Sequence, residues 1–386
     1  MFCSRLFAIF AIMAVLKKIV IQNYRNIELA ELEFSPNLNC VSGNNGEGKT
    51  NLLDAIWYMS MTKSAFASSD RFSFRYGTRQ FSISGVYAME NGLDSKFSVS
   101  VSMDGEKKLR KDGKPYGKVS EHIGVLPIVM VSPQDSALVS ESGDGRRRFV
   151  NAVISQMDRE YLANVQQYNR YLSQRNRLLR APVQDNDLIS VFDEKLALHA
   201  APVYEGRKNF VRELGAVVSE YYGMISGDRE QVSVKYVSDL DKGPLTEMLA
   251  ASRDRDAVLH YTTAGLQRDD LEFCMNGHPI RRYGSQGQQK SFLVALKFAQ
   301  YEIMKKCYGF TPMLLLDDVF DKLDLGRIGN LLHMVAGQDF GQIFISDSNK
   351  TRLARVVEPI TSDRAYFVAE GGSFKQIDGV WEDLPE

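Results

Sequence analysis

The stretch Gly43-Asn44-Asn45-Gly46-Glu47-Gly48-Lys49-Thr50 decides the fold class. It fits the pattern G-x-x-x-x-G-K-[ST], and its flanks fit the same reading. Leu38 to Ser42 reads as a short buried strand, and Asn51 to Met59 carries apolar residues at helical spacing, so the glycines sit between strand and helix. Phosphate binding needs that order. Glycines free the backbone amides to wrap a phosphate, and the helix N-terminus adds its partial positive charge. Lys49 is then expected to reach the β and γ phosphates of ATP, with the Thr50 hydroxyl on Mg2+.

A second nucleotide signature is expected downstream. Pro312 to Leu316 is an apolar run bounded by proline, typical of a buried parallel strand, and it ends in Asp317 and Asp318. Asp317 is placed to act on the Mg2+ side, and Asp318 to orient or deprotonate the attacking water. Between the two motifs, Ser285-Gln286-Gly287-Gln288 opens an amphipathic helix running through Met304. A serine with flanking glycines at a helix start is a second ready anion site, though an isolated motif of this kind is more often an ordinary N-cap.

The ordered set of P-loop, S-x-G-Q helix start, L-L-L-D-D and Asp321 to Asp324 resembles the ABC-type ATPase heads. Within that class the chain resembles the RecF family of bacterial replication and recombinational-repair proteins. The matching residues are Asn23 to Asn26, Asn45 to Ile56, Lys63 and Ser64, Ser132 and Pro133, Arg146 to Phe149, Gln267 to Asp270 and Ser285 to Gln288. Leu266-Gln267 stands where the family usually has Pro-His, and Lys322-Leu323 where it has Glu-Leu. Gln134 stands where a Glu is common, and it resembles the Q-loop residue of other ABC ATPases.

The resemblance implies an α/β fold: an ABC-type head with a mixed β-sheet over residues 13–134 and 239–386, and a mainly helical short-arm subdomain over 135–238, inserted between P-loop and signature. It implies ATP and Mg2+ as cofactors. Nucleotide contacts would come from Gly43, Asn44, Asn45, Gly46, Glu47, Gly48, Lys49, Thr50 and Arg25, and, from the signature side, Ser285, Gln286, Gly287, Gln288 and Asp324. Thr50 and Asp317 would hold the metal, Asp318 would be the base, and Gln134 a sensor. An ATP-dependent homodimer would clamp duplex DNA near single-strand junctions, with weak hydrolysis as a release switch and RecR and RecO as partners. The competing reading is the ATPase subunit of a membrane transporter, which would want an L-S-G-G-Q signature and a switch histidine after Ser346, where this chain has Asp347. A third is an ATP-gated scaffold with negligible catalysis.

From Asp158, residues Tyr161, Val165, Tyr168, Leu172 and Leu179 form an apolar stripe on a helix of about 22 residues, roughly 33 Å long. A turn at Ala181 to Asn186 follows, and Phe192, Leu196, Val203, Phe210, Leu214, Val217 and Tyr221 form a returning stripe. SMC-type proteins insert hundreds of residues of coiled coil here; this chain has room only for a stub.

The 386 residues hold 47 Lys plus Arg against 48 Asp plus Glu, so bulk charge points to no polyanionic partner. Three local clusters supply what bulk charge does not. Lys107, Lys108, Arg110 and Lys111, with Lys114 and Lys118, crowd a hairpin around Gly113. Arg146, Arg147 and Arg148 begin a helix, and Arg170, Arg175, Arg177 and Arg180 load the arm. Such density neutralises phosphates without reading sequence. Any one cluster is more often a plain solvated face.

Hydrophobic residues at 44% and charged residues at 25% match a globular protein in which roughly three quarters of the unfolded surface can be buried. Cys3, Cys40, Cys274 and Cys307 form no C-x-x-C pair, which suits free thiols and a cytoplasmic setting. Cys274 and His278 flank an Asn276-Gly277 hairpin turn, so no zinc site is expected. The apolar run Leu6 to Leu16 has signal-peptide length but is too short to span a bilayer, and no membrane partner is expected. Residues 1–12 read as an N-terminal extension, with Met13 as the alternative start.

Overall fold

Burial patterns along the strands separate two kinds of sheet. The computed structural model describes residues 14–89, 92–141, 143–183, 185–319, 341–357 and 361–377. The extension before Met13, Met13 itself and Asp324 lie outside the described residues. In chain order the elements are β1 (Ala14–Tyr24), β2 (Ile27–Glu33), β3 (Leu38–Ser42), α1 (Lys49–Met61), β4 (Gln80–Met89), β5 (Asp94–Ser102), β6 (Lys107–Lys111), β7 (Lys114–Pro115) and β8 (Ile128–Val131). Then come α2 (Ser136–Ser140), α3 (Gly143–Met157), α4 (Arg159–Leu179), α5 (Asn186–Ser226), β9 (Val232–Val237), α6 (Leu245–Ala251), α7 (Arg253–Leu259), β10 (Asp270–Met275) and β11 (His278–Pro279). The last are α8 (Ile280–Tyr283), α9 (Gln286–Tyr308), β12 (Met313–Asp317), β13 (Ile343–Asp347), α10 (Lys350–Val357), β14 (Arg364–Glu370) and β15 (Ser373–Ile377).

The chain divides into two compact units, one of residues 10–135 and 300–386, the other holding residues 136–299. In the first, every residue of β3, β12 and β13 is buried, as central parallel strands require. They form the sheet β15-β14-β3-β13-β12-β8, parallel except for the β15 edge. β4 alternates buried and half-buried residues from Phe81 to Met89, the pattern of an antiparallel strand. It belongs to the antiparallel sheet β2-β1-β4-β5-β6-β7. The hydrophobic face of α1 fills the space between the two sheets, and edge-to-face contacts among Tyr24, Tyr58, Phe74 and Phe81 close that core.

In the second unit α4 and α5 form the expected antiparallel arm. Asp158 caps α4 by accepting from the Tyr161 amide at 2.9 Å, and Asp185 caps α5 by accepting from the Leu188 amide at 2.9 Å. At 41 residues α5 is roughly 60 Å long. Leu196, Val203, Phe210 and Leu214 are buried along it, and Gly227, at φ 68, ends it. β11, β10 and β9 form an antiparallel sheet whose Asn276-Gly277 turn has both φ positive, as a two-residue hairpin demands.

This division differs from the expected one at its second boundary. Residues 239–299, assigned from sequence to the head, pack with the arm, because β10 pairs along its whole length with β9 and the buried Arg207 of α5 is bonded to Asp269 at 2.5 Å. Long-range pairing of this kind leaves no trace in local periodicity.

Candidate functional site

Backbone geometry builds the phosphate cradle. Gly43, Gly46 and Gly48 have φ of 154, 89 and 109°, a region that side-chain-bearing residues avoid. A Cβ on Gly43 would lie 2.4 Å from the Ala369 carbonyl oxygen, whereas one on Gly46 would meet nothing within 4 Å, so this part of the loop opens onto free space. Lys49, only 4% exposed, donates to the carbonyls of Gly43 at 2.6 Å and Asn44 at 3.0 Å. An ammonium has three donors, and the third is available to a phosphate oxygen. Asn45 lies in the exposed part of the loop.

Parallel pairing brings the second motif to the first. β12 lies one strand away from β3, with β13 between them. Thr50 donates to the Asp317 carboxylate at 2.9 and 3.1 Å, and Ser346 at the end of β13 donates to the same group at 2.6 Å. Burial pushes the Asp317 carboxyl above its ordinary range, while the Ser346 and Thr50 hydroxyls oppose that shift. A cation beside it would favour the ionised form. One carboxylate and one hydroxyl are the hard oxygen donors Mg2+ takes from a protein when phosphates and water complete its shell. These residues therefore fit both ATP and Mg2+. Among the described residues no three or more His, Cys, Asp or Glu side chains cluster as a metal cage.

Asp318 stands at φ 45, a left-handed conformation that Asp tolerates and that ends β12 abruptly. Its amide donates to the Ser346 carbonyl at 3.2 Å. Gln134 is exposed in the 3-10 turn Pro133–Asp135, which follows β8, the strand beside β12. Asp318 and Gln134 thus share the C-terminal edge of the sheet with the cradle. Asp347, where a transporter would carry its histidine, is fully buried and held by Arg352 at 2.8 and 2.9 Å.

Arg25 adjoins α1. Its guanidinium contacts Asp54 at 2.9 Å and Ser64 at 2.8 Å, and Asp54 also accepts from the Tyr24 hydroxyl and the Ala65 amide. Three positioning contacts escaped the sequence reading. The Asn26 amide donates to the Gly46 carbonyl at 3.3 Å and its oxygen accepts from Asn51 at 2.7 Å. The Glu47 carboxylate accepts from the Gly371 amide, and its carbonyl accepts from the Gly372 amide at 2.9 Å. Ser346 is the third; a hydroxyl closing an apolar strand was its only signal.

The signature residues belong to the second unit. Ser285 and Gln288 form a reciprocal capping box: the Gln288 amide donates to the Ser285 hydroxyl at 3.3 Å, and the Ser285 amide donates to the Gln288 side chain at 2.7 Å. Ser285 and Gln286 are exposed and Gly287 is half-buried at the start of the 23-residue α9.

The residues of the expected basic clusters divide by their surroundings. Lys107 pairs with Asp70 at 2.7 Å and donates to the Thr62 carbonyl at 2.8 Å. Arg146, 8% exposed, makes a bidentate pair with Asp270 at 2.6 and 2.9 Å. Arg175 is wholly buried between Asp193 and Asp256. All three have carboxylate partners within the protein, Arg146 and Arg175 buried and Lys107 half-buried. Arg147 donates to the Asp269 carbonyl at 2.8 Å. Lys108, Arg110 and Arg148 are exposed, and Lys111 lies over the Phe97 ring. Gln267 is also internal, accepting from the Tyr168 hydroxyl at 2.6 Å.

Comparison with known proteins gives one consistent answer. The family model described as RecF/RecN/SMC N terminal domain matches residues 15–362. The DNA replication and repair protein RecF of Phocaeicola vulgatus is 42% identical over 93% of this chain and 97% of its own length. That of Bacteroides fragilis is 41% identical over 94% and 99%. Among solved structures, the recombination mediator protein RecF-ATP of the RecFOR pathway superposes with a TM-score of 0.84 at 29% identity, covering 95% of this chain and 98% of that one. An SMC head domain derived from Pyrococcus furiosus, at 14% identity and a TM-score of 0.56 over 96% and 97%, shares the fold. The transporter alternative finds no support in these likenesses. No described helix is long and apolar enough to cross a membrane.

Proposed function

The chain belongs to the RecF/RecN/SMC family, within its RecF group, and on that premise we propose that it is an ATP-switched DNA-binding protein of replication and recombinational repair. The observation that carries the proposal is the convergence of Lys49, Thr50 and Asp317 on one glycine-built loop. Lys49 neutralises the terminal phosphates, the amides of Gly46 to Thr50 bind their oxygens, and Arg25 is held by Asp54 beside the cradle. Mg2+, held by Thr50 and Asp317, would offset the charge on the phosphates. Asp318 would orient and deprotonate the attacking water, with Gln134 reporting on the γ phosphate from the neighbouring strand end. Ser285 to Gln288, at a helix N-terminus with Ser285 and Gln286 exposed, suit the γ phosphate of ATP bound to a second copy, which makes the closed state a head-to-tail homodimer around duplex DNA near a single-strand junction. Slow hydrolysis reopens it. RecR and RecO are the partners the family resemblance implies, and the cytoplasm is the corresponding location.

Light scattering on the Asp318→Asn protein started at Met13 tests this, with and without ATP and a gapped duplex. A monomer that dimerises with ATP and then retains DNA is expected. A protein that stays monomeric throughout, or a Ser285→Arg variant that dimerises as well as the parent, would overturn the two-copy site. Unchanged turnover in Asp318→Asn would remove Asp318 as the base.

A further inference from the structure

The segment from Ser69 to Arg79 lies outside the nucleotide-binding and signature motifs. It reads Ser69-Asp70-Arg71-Phe72-Ser73-Phe74-Arg75-Tyr76-Gly77-Thr78-Arg79, with arginines at four-residue intervals and aromatics between them. Its base is firmly built. The Arg25 amide donates to the Ser73 carbonyl at 2.8 Å, the Arg75 amide to the Asn23 carbonyl at 3.0 Å, and the Met103 amide to the Arg79 carbonyl at 3.0 Å. Phe74 packs edge-on against Phe81, and Asp70 is held by Tyr58 and Lys107. From this base Arg75 to Thr78 make a turn closed by the Thr78 amide on the Arg75 carbonyl at 3.0 Å. Gly77 takes the left-handed position at φ 80, the arrangement of a type II turn. Tyr76 at its tip is 99% exposed and Phe72 is 70% exposed.

An anchored turn that holds an aromatic ring wholly in water gains nothing from that ring by burial. Around it, the carboxylates of this edge are mostly engaged: Glu28 by Arg75, Asp70 by Lys107 and Glu106 by Lys108, with Asp104 on the β5–β6 turn remaining. Arg71 and Arg79 are exposed and have no ion-pair partner among the described residues. Aromatic faces flanked by free guanidinium groups are the chemistry that binds single-stranded nucleic acid, the ring stacking on a base and the cations meeting its phosphates. A continuous duplex offers no base face to such a ring.

We propose that the Arg71–Arg79 segment is a platform for an unpaired nucleotide, with the base on Tyr76 and the adjoining phosphates on Arg71 and Arg79. The proposal rests on the DNA-binding function above and adds to it the residues that distinguish a gap from intact duplex.

The test measures binding of the full chain with ATP to two circular duplexes, one covalently closed and one carrying a short gap, so that neither has a duplex end. Tyr76→Ala is expected to weaken binding to the gapped circle about tenfold and leave the closed circle unchanged, while Tyr76→Trp keeps the gap preference. Replacing both Arg71 and Arg79 by Gln should lower the salt dependence on gapped DNA by roughly 1.4 in logarithmic slope. 2-Aminopurine placed in the gap should brighten when Tyr76 is removed. ATP-dependent dimerisation serves as the folding control. A gap preference untouched in Tyr76→Ala, or an equal loss on both circles, overturns the platform while leaving DNA binding standing. A parent protein that binds neither circle overturns both.

Discussion

Lys49 and Arg175 are both buried cations, one in each compact unit, and their surroundings differ in kind. Lys49 is bonded to two neutral carbonyls, with the Asp317 carboxylate engaged by Thr50 and Ser346. Arg175 is bonded to two carboxylates, Asp193 at 2.6 Å and Asp256 at 2.7 Å, and to the Thr262 hydroxyl at 2.9 Å. A buried charge without its counter-charge is costly, and a phosphate that supplies the missing charge binds there. A buried charge already matched by carboxylates serves the fold and binds no ligand. Sequence shows a lysine or an arginine in either case; the counter-charge comes from elsewhere in the chain.

The largest expected effect attacks the matched member of this pair. Arg175→Met leaves Asp256 buried without its cation and Asp193 with Arg253 alone, at 2.9 Å, and should cost about 3–5 kcal/mol in urea unfolding of the arm-containing unit. A variant as stable as the parent would break the distinction.

A buried base with no carboxylate partner sharpens it. The His122 ring is fully buried; its Nε2 donates to the Met59 carbonyl at 2.6 Å, so Nδ1 accepts from the Tyr116 hydroxyl at 3.1 Å and the ring is neutral. Burial lowers its pKa from 6.5 to about 4. The unfolded chain therefore takes up the proton first, and stability contributed by the neutral ring is full above about pH 6.5 and falls as pH drops toward 4. The loss is up to about 3 kcal/mol. Melting of His122→Gln should be flatter than the parent across that window.

Lys49→Met should weaken ATP binding about a hundredfold, roughly 2.7 kcal/mol, and cost far less stability than Arg175→Met, because the hydrogen bonds lost are to neutral carbonyls. Calorimetric titration with ATP separates it from Arg175→Met, whose folded fraction should bind ATP normally. The smallest effect is at Arg148, whose side chain is 75% exposed and pairs, among the described residues, with Asp144 alone. Arg148→Gln should move stability by less than about 0.5 kcal/mol while reducing the salt slope of DNA binding by about 1.

Much of the site is legible because it is local. Gly43 to Thr50 carries its own chemistry in eight consecutive residues, and the flanking β3 and α1 follow from a buried run and a helical stripe. The arm was readable for the same reason: α4 and α5 bury Tyr161, Leu196, Phe210 and Leu214 at helical spacing. The basic clusters are legible as charge density, which says nothing about partners. Arg146 and Arg148 stand two residues apart on α3, yet Asp270, 124 residues away, takes one and leaves the other in water.

The sequence by itself determined the P-loop, the strand ending in Asp317 and Asp318, the S-x-G-Q helix start and the short arm, since each depends on neighbours within a strand or a few helical turns. Only the tertiary structure decided that Ser346 and Thr50 share Asp317, that Gly371 and Gly372 brace Glu47, and that residues 239–299 pack with the arm. Those facts depend on strand pairing and ion pairing across tens to hundreds of residues, where the selecting energy is the burial of a polar group with its partner and no periodicity in the chain records which partner it will be.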